Sequence, residues 1–188
     1  MKIRSILVVS LLLTICAGLA FAQKKSKPSF TSVYTDMKRD CRTLKEPAAE
    51  AEESGDPAGA CKGFGGHRIF IIHSAWSASY SIEKLKSQDE SITLGTDYSS
   101  YGAKGKRVEW RMANGKPFAV IMRIGKYKER TDGENPYTDE NRTGSRLVVK
   151  GLKGWEHIDF EVDGANPNAN MKARAMADQN YSKGLARL

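Results

Sequence analysis

The chain has 188 residues, of which 30 are Lys or Arg and 22 are Asp or Glu, so its formal net charge at pH 7 is +8. This length suits one domain with one hydrophobic core rather than several domains. Basic and acidic residues are interspersed, which argues against a nucleic-acid-binding footprint and indicates a mild general attraction to anionic surfaces.

The first 22 residues have the features of a secretory signal peptide. Lys2 and Arg4 precede a long apolar run, and Ala20-Phe21-Ala22 places small residues at the two positions that signal peptidase reads. A membrane anchor is disfavoured because no second apolar segment of spanning length follows. A lipoprotein anchor is disfavoured by bulky Ile15 directly before Cys16. We predict cleavage after residue 22, which leaves 166 residues with a net charge of +6 in the bacterial periplasm or outside the cell.

Cleavage leaves two cysteines, Cys41 and Cys61, in a protein sent to an oxidising compartment. We predict that they form one disulfide bond, as paired cysteines of exported proteins usually do. The bond closes a stretch whose acidic part, residues 46–56, we expect to be a loop or a frayed helix. Chain-entropy arguments give such a bond about 3 kcal/mol of stabilisation. A redox or zinc site would need closer or more numerous thiols, so neither is predicted.

Residues 23–29 are rich in lysine and are predicted to form a flexible linker to a single domain that spans residues 30–188. The first strands are predicted at Phe30–Tyr34, His67–His73 and Ala75–Ile82. In the third of these, serines alternate with larger side chains, which is typical of a strand with one solvated face.

The segment CKGFGGHRIFIIH (Cys61–His73) combines three glycines with two histidines and so resembles a phosphate or metal site at first sight. A phosphate loop needs its glycines to open a helix, whereas a strand pattern follows here, so we predict that the glycines only turn the chain. His67 and His73 are too far apart to share a metal ion, because an extended strand separates them by about 20 Å.

The segment RVEWRMANGKPFAVIMRI (Arg107–Ile124) predicts a β-hairpin, because alternating apolar residues flank an Asn-Gly pair. A two-residue turn would place the apolar sides of the two strands on opposite faces of the hairpin. A three-residue loop, Ala113-Asn114-Gly115, pairs Trp110 with Phe118 and keeps the apolar sides together, so we predict that loop.

Downstream of the hairpin, the polar stretch Tyr127–Thr143 predicts a long exposed loop, and strands are predicted at Arg146–Leu152 and Glu156–Val162. The predicted fold class is α+β and β-rich. It is a single mostly antiparallel sheet, or a sandwich-like β domain, of about six or seven strands with one C-terminal helix.

The C-terminal helix is predicted at about residues 168–183. Three asparagines are suitable N-caps for its start, namely Asn166, Asn168 and Asn170. Gly184 is suited to end it. The side expected to pack on a sheet face carries Met171, Ala175 and Tyr181.

The candidate catalytic residues are His157, Asp159 and Glu161 in the segment WEHIDFEVD. Strand alternation places them on one face, with successive members about 7 Å apart. A metal ion between two of them, or a general base made of imidazole and carboxylate, would make this face a metal-assisted or acid–base hydrolase site. The alternative, which we favour, is a solvated face whose acids pair with the charged outer face of the hairpin, Arg107, Glu109 and Arg111. No metal or other cofactor is predicted.

The candidate binding residues are two basic clusters that flank the hairpin and its exit in sequence, and they comprise Lys104, Lys106, Arg107, Lys126, Tyr127 and Lys128. Together with nearby tyrosines they would form a rim for an anionic polymer, such as a cell-envelope glycan, or for a lipid headgroup. The alternative is ordinary surface charge beside loops.

Four segments together resemble a group of small secreted bacterial proteins, namely YTDMKRDC (Tyr34–Cys41), CKGFGGHRI (Cys61–Ile69), VEWRMANGKPFAVIMR (Val108–Arg123) and KGLKGWEHIDFEVDGANPNANMKARAMAD (Lys150–Asp178). The resemblance implies a signal peptide, a cysteine pair and an E-W-R strand before a hairpin, and it brings no catalytic or binding residue with it. In architecture alone, the chain also resembles the small periplasmic inhibitors of cell-wall hydrolases. The sequence favours a non-enzymatic binding or inhibitor-like module for a protein or an anionic envelope component, with the hydrolase as the alternative.

Overall fold

The computed structural model describes residues 27–43, 58–85, 87–98 and 106–185, which form ten β-strands and one α-helix. In chain order the elements are β1 (Phe30–Asp36), β2 (Cys41–Thr43), β3 (Ala58–Lys62), β4 (His67–His73), β5 (Ser77–Lys84), β6 (Ser87–Tyr98), β7 (Arg107–Ala113), β8 (Lys116–Tyr127), β9 (Arg142–Gly151), β10 (Asp159–Asp163) and α1 (Ala169–Leu185). The predicted signal peptide, the acidic segment 46–56 and Lys104 lie outside the described residues. No helix within these ranges is long and apolar enough to cross a membrane.

The strands form two antiparallel sheets of five strands each. The first sheet has the order β1-β7-β8-β9-β10, and the second sheet has the order β2-β3-β4-β5-β6. The prediction of a β-rich fold with one C-terminal helix is confirmed. Of the two predicted arrangements, the single sheet does not match the structure, and the described strands number ten rather than six or seven. The difference comes from β2, β3 and β6, which are short or rich in polar residues and so lack a clear strand pattern.

The two sheets pack around a shared hydrophobic core. Trp110 and Val120 of the first sheet meet Ile69 and Tyr80 of the second sheet in this core. Trp110 is fully buried, and its indole N–H donates to Thr35 Oγ1 at 2.9 Å. The polar atom that is buried with the ring is therefore satisfied, which a buried tryptophan requires.

The hairpin of β7 and β8 keeps the apolar sides of its strands together, but its turn and pairing differ from the predicted ones. Its turn has two residues, Asn114 and Gly115, with φ of 49° and 78°, as in the turns that suit tight hairpins. Trp110 pairs with Val120 rather than with Phe118, because a β-bulge interrupts the ladder and leaves Phe118 with no residue opposite it. The predicted three-residue loop is therefore wrong, and the bulge supplies the register shift instead.

The Cys41–Cys61 disulfide bond predicted from the sequence is confirmed, and it joins directly paired residues of β2 and β3. The glycines that follow form the turn from β3 into β4, in which Gly65 and Gly66 have φ of 63° and 81°. β4 has the predicted bounds, and its three central residues are buried.

Downstream of the hairpin, β8 ends at Tyr127 and β9 begins at Arg142, so the predicted long loop comprises residues 128–141. β10 begins at Asp159, three residues later than predicted, because the chain before it forms turns. His157 therefore lies in a turn that precedes the strand.

Helix α1 packs on the outer face of the first sheet, which is the face turned away from the second sheet. It begins directly after Asn168, one of the three predicted caps. Gly184 lies inside the helix rather than beyond its end. A Cβ atom at this position would lie 2.9 Å from the rings of Trp155 and His157, so glycine allows the helix to approach them closely.

The buried side of α1 differs from the predicted one. It consists of small residues, namely Ala169, Ala173, Ala177 and Gly184. Met171 is 60 % exposed and Ala175 is also exposed, whereas Tyr181 does pack on the sheet, with its ring centroid 4.6 Å from that of Phe118. Small residues are needed because the sheet face below already carries large side chains such as Phe118 and Ile121.

Candidate functional site

A polar pocket opens on the helix side of the first sheet, beside the start of α1. Strand alternation places Ile121 and Arg123 of β8 on this outer face, next to Leu147 of β9. Ile121 and Leu147 form an apolar floor, while Tyr34 of β1 and Asn170 of α1 contribute to the wall. The volume is about 540 Å³, which is in the range of pockets that hold small organic ligands.

The lining of this pocket carries an excess of positive charge, and we call it the cationic pocket. Its five basic residues are Lys106, Arg107, Arg123, Arg142 and Arg174. Its two acidic residues are Asp97 and Glu109, so the described lining has a net charge of +3. Low-dielectric walls strengthen such a field, because water screens the charges less than it would on an open surface.

Glu109 and Arg174 form an ion pair at one wall of the cationic pocket. Arg174 donates to the two carboxylate oxygens through Nε at 2.6 Å and Nη2 at 2.9 Å. Arg174 Nη2 also donates to the Tyr34 hydroxyl at 2.8 Å, and the Ser32 hydroxyl donates to Glu109 at 2.5 Å. The hydrogen bonds to Glu109 raise the pKa of Arg174 above its ordinary value. Glu109 is only 6 % exposed, so this pair fixes the start of α1 to β7.

The hydrogen-bond chain continues below the helix, away from the pocket. The Ser32 hydroxyl accepts from Arg111 Nη1 at 2.9 Å, and Arg111 pairs with Asp178 of α1. The sequence predicted that Arg107, Glu109 and Arg111 form a solvated outer face. That prediction is wrong for Glu109 and Arg111, because α1 covers them and supplies their partners.

Asp97 lies at the opposite wall, where the two sheets meet. It is 2 % exposed and accepts hydrogen bonds from Lys106 Nζ at 2.6 Å, from the Gly125 amide at 2.9 Å and from the Tyr127 hydroxyl. Burial alone would raise the pKa of Asp97, but the bonds from Lys106 and Tyr127 outweigh burial and hold its pKa below the usual value. Asp97 is therefore an ionised anchor that connects β6 to β8 and to Lys106, the residue directly before β7.

The surroundings of Asp97 also shift the pKa values of Lys106, Tyr80 and Tyr127. Burial lowers the pKa of Lys106, and the charge of Arg142 lowers it further, although Asp97 opposes both effects. Burial raises the pKa of Tyr80 and of Tyr127, and Asp97 adds to both shifts.

Arg123 has no carboxylate partner in the described part of the chain, and Arg107 has only a long ion pair with Asp36. The Arg107 side chain is 68 % exposed, and its guanidinium lies 3.8 Å from Asp36. Arg123 Nη1 donates to two neutral groups, the Ser145 hydroxyl at 2.9 Å and the Gly164 carbonyl at 3.3 Å. These two guanidinium groups therefore remain able to bind an anion in the pocket.

The structure brings together some of the predicted binding residues and separates others. Lys106 and Arg107 line the cationic pocket. Tyr127 contacts it indirectly through Asp97, and its ring lies 5.2 Å from that of Tyr137. Lys126 instead pairs with Asp163 at 3.6 Å, and Lys128 is exposed. Of the predicted binding residues that the structure describes, two therefore line the pocket and the others lie outside its lining.

Three basic residues of the pocket were missed by sequence reasoning, namely Arg123, Arg142 and Arg174. Arg174 lies 65 residues from its partner Glu109, so no local pattern connects them. A signal did exist for Arg123, because it is the one charged residue in the apolar run from Phe118 to Ile124.

The candidate catalytic residues do not form one strand face. His157 precedes β10, and its Nε2 lies 3.3 Å from the Asn180 carbonyl oxygen of α1. Asp159 and Glu161 are on β10 and pair with the neighbouring strand β9, in the first case with Lys150 at 2.7 Å and in the second with Arg146 at 3.1 Å. Among the described residues no group of three or more His, Cys, Asp or Glu side chains is placed to hold a metal ion.

A further cavity of about 590 Å³ lies beside the disulfide bond. Its charged lining comprises Arg39, Lys62, Arg68 and Asp40. Arg68 is already bound to Glu83 at 2.7 Å, which reduces the charge that this cavity offers to a ligand. The cationic pocket is therefore the stronger candidate for binding an anion.

The cationic pocket combines guanidinium donors, a phenol, an amide and an apolar floor. Planar guanidinium groups suit the two-point recognition of carboxylates and phosphates. This arrangement can hold an anionic group and, beside it, a less polar part of the same ligand. Comparison of the chain with protein-family models, with curated proteins and with solved structures finds no match.

Proposed function

We propose that the mature protein is a non-enzymatic binding module of the bacterial cell envelope, and that the cationic pocket holds an anionic group of its ligand. The observation that carries this proposal is the net charge of +3 on the described pocket lining. The sequence-based hypothesis of an anionic envelope partner is retained, and its binding residues become Arg107, Arg123 and Arg142, while Arg174 holds a wall of the pocket.

The geometry supports binding at Arg107 and Arg123 in particular. A carboxylate or phosphate entering the pocket would gain charge-assisted hydrogen bonds from guanidinium groups whose present acceptors are neutral or distant. The ion pairs of Lys106 with Asp97 and of Arg174 with Glu109 hold the walls in place while the ligand binds. Preorganised walls reduce the entropy cost of association.

The proposed location outside the cytoplasm is supported by the Cys41–Cys61 disulfide bond, because such bonds persist in oxidising compartments. The signal-peptide pattern of residues 1–22 supports it independently.

The proposal is tested by isothermal titration of the mature protein with inorganic pyrophosphate and with trigalacturonate. We expect binding that weakens as salt is added, because the main attraction is between charges. The variant Arg107→Gln/Arg123→Gln should lose about tenfold in affinity, equivalent to about 1.4 kcal/mol.

The matched control is Lys116→Gln/Lys183→Gln, which removes the same charge at exposed positions outside the pocket lining. It should bind as the unmodified protein does. Failure of both anions to bind, or an equal loss of affinity in the two double variants, would contradict the proposal.

A further inference from the structure

A second, smaller cavity adjoins the cationic pocket along β9, and we call it the side groove. It has a volume of about 420 Å³, and its lining consists of Arg142, Thr143, Gly144, Ser145, Gly164 and Ala165. Arg142 belongs to both linings, so the two cavities meet at this side chain. The same ligand can therefore contact both.

Arg123 lies between the two cavities and contacts residues of both linings. It lines the cationic pocket, while both groups to which it donates, the Ser145 hydroxyl and the Gly164 carbonyl, belong to residues that line the side groove. A side chain at position 164 would collide with Ser145 and would lie 2.5 Å from Arg123 Nη1. Glycine at this position therefore preserves the contact between the two cavities.

The two cavities differ in charge. The cationic pocket carries five basic residues, whereas Arg142 at the boundary is the only charged residue in the described lining of the side groove. The other groups in the side groove are hydroxyls, backbone and the methyl groups of Thr143 and Ala165. The two cavities therefore suit a ligand in which an anionic unit is followed by a neutral unit rich in hydroxyl groups.

From this juxtaposition we propose that the ligand is a linear acidic polysaccharide in which an acidic sugar occupies the cationic pocket and a neutral sugar occupies the side groove. This inference rests on the proposed function. The acidic sugar's carboxylate binds Arg107 and Arg123, and its ring lies near Tyr34, which is 44 % exposed, and near the Asn170 amide. The neutral sugar's hydroxyls bind Thr143, Ser145 and the glycine backbone.

Polyphosphate and nucleic acid fit this pair of cavities less well, because they carry a negative charge at every unit. The unit that entered the side groove would meet one guanidinium, already shared with the pocket. A polyuronate with a charge on every sugar has the same mismatch. An alternating polysaccharide places its charges where the arginines are.

The experiment titrates the mature protein with hyaluronan hexasaccharide, in which glucuronate alternates with a neutral amino sugar, and with free glucuronate. The hexasaccharide should bind at least tenfold more tightly than glucuronate and more tightly than hexagalacturonate. Thr143→Trp introduces a large side chain into the side groove at a position outside the lining of the pocket. It should remove most of the hexasaccharide's advantage and leave glucuronate binding unchanged.

Ala165→Tyr, on the other wall of the side groove, is a second test of the same kind, and thermal unfolding verifies that each variant is folded. Thr131→Trp in the exposed loop is the matched control and should have no effect on either ligand. If anions bind but their affinity does not depend on chain length or on Thr143→Trp, the polysaccharide inference is wrong while the proposed function stands. Tighter binding of single-stranded DNA or of polyphosphate would also overturn it. If no anion binds, both proposals fail.

Discussion

Arg111 of β7 and Asp178 of α1 form a two-point ion pair across the interface between the first sheet and the helix. Nε and Nη2 of Arg111 donate to the two carboxylate oxygens at 2.7 and 2.6 Å, although the residues are 67 positions apart in the chain. Arg111 is only 9 % exposed, and its third donor bonds to the Ser32 hydroxyl. This pair orients α1, and α1 in turn supplies one wall of the cationic pocket.

The substitution Arg111→Lys should lower the free energy of unfolding by about 2 kcal/mol, because an ammonium group cannot reproduce the two-point geometry and leaves buried acceptors unmatched. Urea unfolding measures the loss, and faster amide hydrogen exchange in α1 would show that the helix is less firmly docked. Arg39→Lys is the control, since the Arg39 side chain is 74 % exposed and its ion pairs are long. Equal losses in the two variants would refute the role given to Arg111.

Removing the charge of Glu109 should have opposite effects on stability and on anion binding. Glu109→Gln should cost about 2 kcal/mol of stability, because Arg174 loses a buried partner. The described pocket lining becomes more positive by one unit, so trigalacturonate should bind more tightly. Glu161→Gln, at a side chain that is 53 % exposed, should cost less than about 1 kcal/mol and leave binding unchanged. Weaker binding by Glu109→Gln would contradict this prediction and would show that the ion pair with Arg174, which holds the wall, matters more for binding than the added positive charge.

Asp97 should control stability in acid. Because its folded-state pKa lies below the unfolded value of about 3.9, its ionised form stabilises the fold above that pH. The contribution is lost as pH falls through the folded pKa. Asp97→Asn should cost about 3 kcal/mol at pH 7, because Lys106 is left without its buried counter-charge.

The same variant should also flatten the decline of stability below pH 4, measured by urea unfolding from neutral pH to pH 2. Asp159→Asn is the control, because Asp159 pairs with Lys150 at a side chain that is 60 % exposed. It should cost less than about 1 kcal/mol. An Asp97→Asn profile parallel to that of the unmodified protein would show that another group governs acid unfolding.

The disulfide bond should contribute about 3 kcal/mol, since it closes a loop between cysteines that are 20 positions apart. Cys41→Ala/Cys61→Ala should lose this amount in urea unfolding. Addition of a reductant should destabilise the unmodified protein by a similar amount and leave the double variant unaffected. A reductant effect on the double variant would assign the loss to something other than this bond.

The sequence predicts the elements whose pattern is strong and local. β4 has its predicted bounds because four consecutive apolar residues and a preceding glycine turn define it. β6 was not predicted, because its first half, Ser87–Ser91, is polar and its pairing with β5 contains two irregularities. The prediction correctly required the apolar sides of both hairpin strands to share one face. It used a longer loop to meet this requirement, whereas the structure uses a β-bulge, and either arrangement satisfies it.

The candidate site was only partly predictable for a different reason. Lys106 and Arg107 were identified because they are close together in sequence and basic. Glu109 and Arg111 were assigned to a solvated face, since alternation distinguishes two faces but does not say which one a helix will cover. The helix that covers them was predicted to pack through Met171 and Ala175, which are exposed instead. Tertiary packing determined both outcomes.

The alanine side of α1 has a consequence for how the pocket can change. Ala169 and Ala173 are neighbours of the lining residues Asn170 and Arg174, and their methyl groups set how closely the helix approaches the sheet. The width of the binding site is therefore governed by residues that no ligand touches. Replacing Ala169 or Ala173 by glycine would narrow the site, and replacing either by a larger residue would widen it. Substitutions in the core can therefore change binding specificity while every arginine of the pocket stays in place.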